Sequence, residues 1–285
     1  MGIHTREVNG AVVAGQTWDC PPTLDDRQVM DFCRRGYVML GGVVPDEVNR
    51  RTVEFLDEHD SPEPSEILDE DWFAQGVIRN PEAAGAVRSL LGKDFVLPEL
   101  MANHRVECPA PALNWHQDGG SLLTPRVDYL QVFYYPAEVP REMGPTEILP
   151  GSHLKRGYGG ILSRLRSVRD SFLTVAPAGT VFLTCYTIWH RRSASTETGI
   201  RNNLKYNYWR TSQPCRDWKT DPSFSFSWPG NEFPGLTVPA AQMLVWLCGE
   251  EWEHMGGQAW PCFSEKVHDH DQQGLPAGLR RPGLG

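Results

Sequence analysis

The chain changes texture at about residue 95, and that change limits what it can fold into more than any other feature. Before it, apolar residues recur at helical spacing; after it, short β-branched and aromatic runs alternate with Pro and Gly. Leu24 to Gly36 reads as a helix, with acids in its first turn, Arg34 and Arg35 in its last and Gly36 as a stop. Tyr37 to Leu40 then reads as a short buried strand. A second helix follows Pro45, whose fixed φ suits a first turn, and its apolar face runs through Val48, Phe55 and Leu56. Asn80-Pro81 opens a third helix as cap and first residue, with Ala84, Val87 and Leu91 in phase and Gly92 beyond the end. Candidate strands then follow at Phe95 to Leu97, Leu100 to Val106, Leu113 to His116, Tyr129 to Tyr135, Thr146 to Leu149, Phe172 to Val175, Thr180 to Cys185 and Asn202 to Trp209. Helices first and strands later predict one mostly-β domain, an eight-stranded double-sheet jelly roll buttressed by N-terminal helices. The helical part covers about 20–92, the core about 95–210 and an extension about 211–285. The first 20 or so residues read as an irregular arm or edge strand. The Trp-, Phe- and Pro-rich stretch 213–239 reads as an insertion over the site, 240–248 as a helix, and the end from about Pro276 as frayed.

One triplet stands out within the β region. Trp115-His116-Gln117-Asp118-Gly119 carries the sequence's only His-x-Asp or His-x-Glu, at the end of a predicted strand. Positions i and i+2 of a strand share a face, so the His116 imidazole and the Asp118 carboxylate can converge on one point. A third ligand is needed, and His190, closing the run Val181 to His190, is the candidate. Two His and one carboxylate on one face of an octahedral ion leave three positions open, the arrangement of non-haem Fe(II) oxygenases. The competing reading of His190 is a core histidine bonded to a backbone carbonyl. Arg201 follows eleven residues later. If the chain turns at Ser195 to Gly199 and returns, its guanidinium lies beside the metal and can take a dicarboxylate's far end as a bidentate pair; the alternative is a surface ion pair with Glu197. Thr146 can offer its hydroxyl to the same carboxylate, or simply be a sheet threonine. His153 reads as structural, and His268-Asp269-His270-Asp271, near a polar Gly-rich end, as solvated.

The totals narrow the partners. Lys and Arg number 27 against 36 Asp and Glu, a net charge of −9, which argues against nucleic acid or an anionic membrane and suits a small cationic substrate. Such a substrate would want carboxylates, and Asp128, Glu107, Glu138 and Glu142 lie near the site in sequence. Seven scattered cysteines without C-x-x-C spacing predict reduced thiols in a cytoplasmic protein, not a disulfide framework or zinc ribbon. No basic start followed by an apolar run and no long uncharged apolar stretch occurs.

With these residues assembled, the chain resembles the phytanoyl-CoA dioxygenase family of Fe(II)/2-oxoglutarate oxygenases. The resemblance runs through Arg35-Gly36-Tyr37-Val38, Leu90-Leu91-Gly92, Trp115-His116-Gln117-Asp118, Gly144-Pro145-Thr146 to Pro150-Gly151-Ser152-His153, and His190 with Arg201. It implies a cupin-like double-stranded β-helix that uses iron, 2-oxoglutarate and O2. His116, Asp118 and His190 would bind the metal and Arg201 the co-substrate, with Thr146, Gln131 and His104 at assisting positions. Related halogenases carry a small residue in place of the ligand carboxylate, so Asp118 points to oxygenation. The family's substrates include lipids, terpenoids, alkaloids, amino acids and antibiotics. A non-enzymatic cupin-like binding protein would share the architecture but leave four site residues as coincidences.

Overall fold

The computed structural model describes residues 2–8, 11–118, 124–154, 159–222, 224 and 238–250. The chain opens with a hairpin, β1 (Gly2–Val8) and β2 (Ala11–Trp18). It continues through α1 (Asp26–Arg35), β3 (Tyr37–Leu40) and α2 (Asp46–Glu58). A one-turn α3 (Asp71–Phe73) leads to α4 (Pro81–Leu91). The strands that follow are β4 (Phe95–Val96), β5 (Ala102–Asn103), β6 (Val106–Cys108), β7 (Tyr129–Tyr135) and β8 (Thr146–Ile148). After the short α5 (Gly159–Leu162) come β9 (Phe172–Leu173), β10 (Thr180–Thr184), β11 (His190–Arg192), β12 (Gly199–Arg201) and β13 (Leu204–Trp209), and α6 (Val238–Leu247) is the last described element.

Local chemistry explains the helix limits. Asp25 caps α1 by accepting from the Gln28 N–H while the Gln28 side chain accepts from the Asp25 N–H, and Gly36 ends the helix at φ 82°. A side chain at Gly36 would also strike the His153 ring, 2.4 Å from where its Cβ would stand. Asn80 caps α4 through the N–H groups of Glu82 and Ala83, with Pro81 at the first position.

The large antiparallel sheet runs β1-β2-β4-β13-β7-β10-β3, with β5 also paired to β13. Two small sheets, β11-β8-β9 and β12-β6, face it. Alternation along β7 sorts its side chains. Leu130, Val132 and Tyr134 join the core against the helices, while Phe133 and Tyr135 pack on Phe182 between the sheets. Burying each such aromatic or aliphatic side chain contributes about 1.5–3 kcal/mol.

Four expectations change in the structure. Residues 2–18 form a hairpin that extends the large sheet instead of an arm or a single edge strand. Leu113 to His116 is not a strand; His116 makes a lone bridge to His190. The run Leu100 to Val106 breaks into β5 and β6, which pair with different sheets. The described part of the 213–239 stretch is fastened to α1: buried Asp26 accepts two bonds from Arg216 and one each from the Trp218 indole and the Asp221 N–H. The rest of that stretch, His268 to Asp271 and the end from Pro276 lie outside the described residues. Among the described residues, no helix is long and apolar enough to cross a membrane.

Candidate metal and co-substrate site

His116 and His190 are brought together by the backbone. Each donates its N–H to the other's carbonyl at 3.0 Å, a hydrogen-bonded antiparallel pair that sets the two rings 4.5 Å apart. Both imidazoles are oriented in the same way. The His116 Nδ1–H donates to the Asn114 carbonyl at 2.9 Å and the His190 Nδ1–H to the Ile188 carbonyl at 3.0 Å. A carbonyl only accepts, so Nδ1 carries a proton in both rings and Nε2 is the atom each ring turns toward the shared point. The carbonyl bond of the competing core-histidine reading is therefore present, and it orients His190 toward Asp118. Ligand atoms of His116, Asp118 and His190 all lie within 4.8 Å of one another, the one such cluster among the described residues.

The neighbours of these ligands are anchored by buried contacts. Trp115 lies under the Arg191 guanidinium, 4.8 Å from ring centroid to Cζ, and Arg191 is itself paired with Glu147 at 2.6 Å and bonded to the Arg166 carbonyl. The Trp189 N–H donates to Ser152 Oγ, and Gln117 Nε2 donates to the Thr187 carbonyl. Such supports matter because metal ligands must be held to a fraction of an ångström.

Asp118 is held from two sides: Gln131 Nε2 and Lys205 Nζ each donate to its Oδ2 at 2.6 Å. Burial pushes its pKa up, but the charges of His190 and Lys205 and these two bonds outweigh it and hold the carboxyl below the usual range. His190 moves the other way. Burial pushes its pKa down to about 4 against the opposing pull of Asp118, so it is neutral and able to ligate at physiological pH.

Deeper between the sheets, Arg201 is 2% exposed and makes no ion pair among the described residues, Glu197 included. Its Nη2 donates to Thr146 Oγ1 at 3.1 Å and to the Tyr135 hydroxyl at 3.2 Å, while its Nε has no partner among the described residues. A buried guanidinium without a counterion costs several kcal/mol, and a carboxylate completing this cluster would offset that cost. The donor set thus fits both groups: a 2-His-1-carboxylate face for a divalent metal, and a cation with hydroxyls for a dicarboxylate.

The other predicted residues fall around this pair. Gln131 lines up with Phe133 and Tyr135 on the inner face of β7, and its Oε1 is buried without a partner among the described residues. His104 donates its N–H to the Asn203 carbonyl and lies in the electrostatic field of Lys205, Asp118, Arg201 and His116. His153 is structural, its Nε2 3.0 Å from the Cys33 carbonyl. Sequence reasoning missed Tyr135, whose hydroxyl is 2.9 Å from those of Thr146 and Thr174, and did not pair Lys205 with Asp118. The period-two alternation that places Gln131 inside also places Tyr135 there, and in β13 it aligns Lys205 with Asn207 and Trp209.

Solved structures share this architecture at low identity. HygX from Streptomyces hygroscopicus, solved with nickel and 2-oxoglutarate, superposes at TM-score 0.54 with 16% identity over 66% of this chain and 88% of its own. The epimerase SnoN from nogalamycin biosynthesis, described as non-haem and α-ketoglutarate-dependent, gives 0.52 and 18% over 65% and 82%. CytC3 with Fe(II) and α-ketoglutarate gives 0.52 and 17% over 67% and 79%. At such identities the likeness establishes the mostly-β, cupin-like double-stranded β-helix fold. No curated protein matches the chain by sequence. The family profile for phytanoyl-CoA dioxygenase matches residues 32–196, more than half of the chain and a span that includes His116, Asp118 and His190, so the protein belongs to the phytanoyl-CoA dioxygenase family of Fe(II)/2-oxoglutarate-dependent oxygenases.

Proposed function

We propose that His116, Asp118 and His190 ligate the iron of this oxygenase and that Arg201, with Thr146, holds the far carboxylate of 2-oxoglutarate. The observation that carries this reading is the buried Arg201 guanidinium, without an ion-pair partner among the described residues and bonded to Tyr135 on the β7 face whose Gln131 holds Asp118. Bound iron and 2-oxoglutarate supply the oxidation: one oxygen atom of O2 enters succinate as CO2 leaves, and the other reaches a substrate C–H as hydroxyl. The chain's own part is positional. His116 and His190 present their Nε2 atoms, Gln131 and Lys205 orient Asp118, and Arg201, Tyr135 and Thr146 fix one end of the co-substrate.

The substrate in this reading is a small natural product, specifically the aminoglycoside kanamycin B. Hydroxylation of its amino-bearing 2′ carbon gives a carbinolamine that collapses to the 2′-oxo sugar and ammonia, so one O2 and one 2-oxoglutarate yield ketone, ammonia, succinate and CO2. The acidic balance of the chain supports a cationic substrate, and HygX, a neighbour in fold, has been solved with hygromycin B bound. A terpenoid or alkaloid is the second reading. It is favoured by the aromatic group Tyr129, Trp209 and Tyr186, in which Tyr129 lies 4.5 Å from Trp209 and 5.1 Å from Tyr186 beyond the Gln131 end of the metal site.

Anaerobic reconstitution with Fe(II) and 2-oxoglutarate, followed by oxygen, tests both levels. Succinate and ammonia rising together with kanamycin B is the expected result. Succinate that ignores kanamycin B removes that substrate and keeps the oxygenase, while no succinate under any condition removes the proposed site.

A further inference from the structure

Lys205 is not explained by the metal triad. It stands on the inner face of β13 opposite Phe133, with its ammonium 5.4 Å from that ring's centroid. Its one hydrogen-bond partner among the described residues is Asp118 Oδ2, at 2.6 Å. An ammonium has three donors, so two remain for another acceptor. Asp118 cannot neutralise it fully once a divalent ion shares the same carboxylate. Lys205 then becomes a second uncompensated positive charge between the sheets, alongside Arg201.

The two cations come from β12 and β13 and meet different rings of the same strand, β7. The Arg201 guanidinium lies at the level of Tyr135, 5.3 Å from its ring centroid, and the Lys205 ammonium at the level of Phe133. Those residues are two apart on β7, a separation of roughly 7 Å along the strand. A point charge at the metal end and a planar fork at the far end suit a short dicarboxylate, one terminus to each.

We propose that Lys205 is a second co-substrate-binding residue: its ammonium meets the metal-end carboxylate of 2-oxoglutarate while Arg201 holds the other. This rests on the reading of the site given above. It assigns a function to a side chain that would otherwise act only as a brace on Asp118.

The test is 2-oxoglutarate binding by calorimetry, under anaerobic conditions, to the nickel-loaded full-length protein, with Lys205→Met, Lys205→Arg and wild type compared. Nickel affinity and thermal melting are measured for each. A charge-assisted contact predicts 2-oxoglutarate binding about ten- to a hundredfold weaker in K205M and largely restored in K205R, each measured at saturating nickel so that a loosened Asp118 is not read as lost co-substrate binding. If K205M instead loses nickel affinity while 2-oxoglutarate affinity stays within about threefold of wild type, Lys205 is only a brace and the proposal fails. If K205M does not fold, Lys205→Gln takes its place with the same two outcomes, weakened 2-oxoglutarate binding supporting the contact and binding within about threefold of wild type overturning it. If wild type itself does not bind 2-oxoglutarate, the underlying site assignment fails, not merely the role of Lys205.

Discussion

The two faces of β7 belong to one strand but differ in chemistry. Toward the helices, Leu130 and Val132 are buried among apolar side chains, and the Tyr134 hydroxyl donates to Asn49 Oδ1 at 2.7 Å. Toward the small sheets, Gln131 grips Asp118, Tyr135 bonds Arg201, and Gln131 Oε1 and Arg201 Nε are buried with no partner among the described residues. The outer face contributes stability through area removed from water. The inner face keeps polar groups whose full complement comes from outside the chain. Residues one apart should therefore give opposite phenotypes.

The comparison is broken most easily at the ligands. His190→Ala should abolish metal binding and turnover while leaving the circular dichroism spectrum that of a folded protein. Turnover retained by H190A would take His190 out of the metal site. On the opposite face, Leu130→Ala should lower stability by about 2–5 kcal/mol in urea unfolding and leave 2-oxoglutarate affinity of the folded fraction unchanged. A large loss of co-substrate affinity in L130A would mean that the two faces are not separable.

Next in size is Arg201. Arg201→Ala should weaken 2-oxoglutarate by about 2–5 kcal/mol, roughly thirtyfold or more, and Arg201→Lys should recover part of it without the forked geometry. Equal affinity in all three proteins would transfer the role to another cation.

A pH effect of similar scale follows from His190. Its folded pKa, about 4, lies below the ordinary 6.5, so the unfolded chain binds the extra proton between those values. Stability of the metal-free protein should be full above pH 6.5 and fall toward pH 4, by at most about 3 kcal/mol. Unfolding followed at pH 7 and pH 5 should show the loss in wild type and a smaller one in H190A; identical pH slopes would mean that His190 is not buried neutral. The smallest expected effect is that of Gln131→Met, which removes one of two bonds to Asp118. Metal affinity should drop about tenfold, since outer partners of a ligand typically count for that much.

Much of this was legible in the sequence where local pattern and final environment agree. Strands β3 and β7 fall where the residues predicted, and α4 runs between its Asn80-Pro81 start and Gly92 stop. That His116, Asp118 and His190 converge was legible from their residue types and spacing. The errors have a common cause. Leu113 to His116 has the composition of a strand, but its backbone partners are set by where β11 passes, leaving one reciprocal bridge. Leu100 to Val106 reads as one run because periodicity carries no record of which sheet each half joins. Tyr135 and Lys205 sit in ordinary strand positions, and only the pairing of β7 with β13 and the approach of β8 and β12 to its inner face give them polar work.

The central claim is that metal and dicarboxylate share the pocket between His116 and Arg201. Crystals grown anaerobically with Fe(II) and 2-oxoglutarate, measured at the iron absorption edge, test it directly. The account predicts an anomalous peak bonded to His116 Nε2, His190 Nε2 and the Asp118 carboxylate, with 2-oxoglutarate density ending on the Arg201 guanidinium. An iron peak away from these three residues, or a co-substrate carboxylate paired with a different cation while Arg201 stays unpaired, would contradict it.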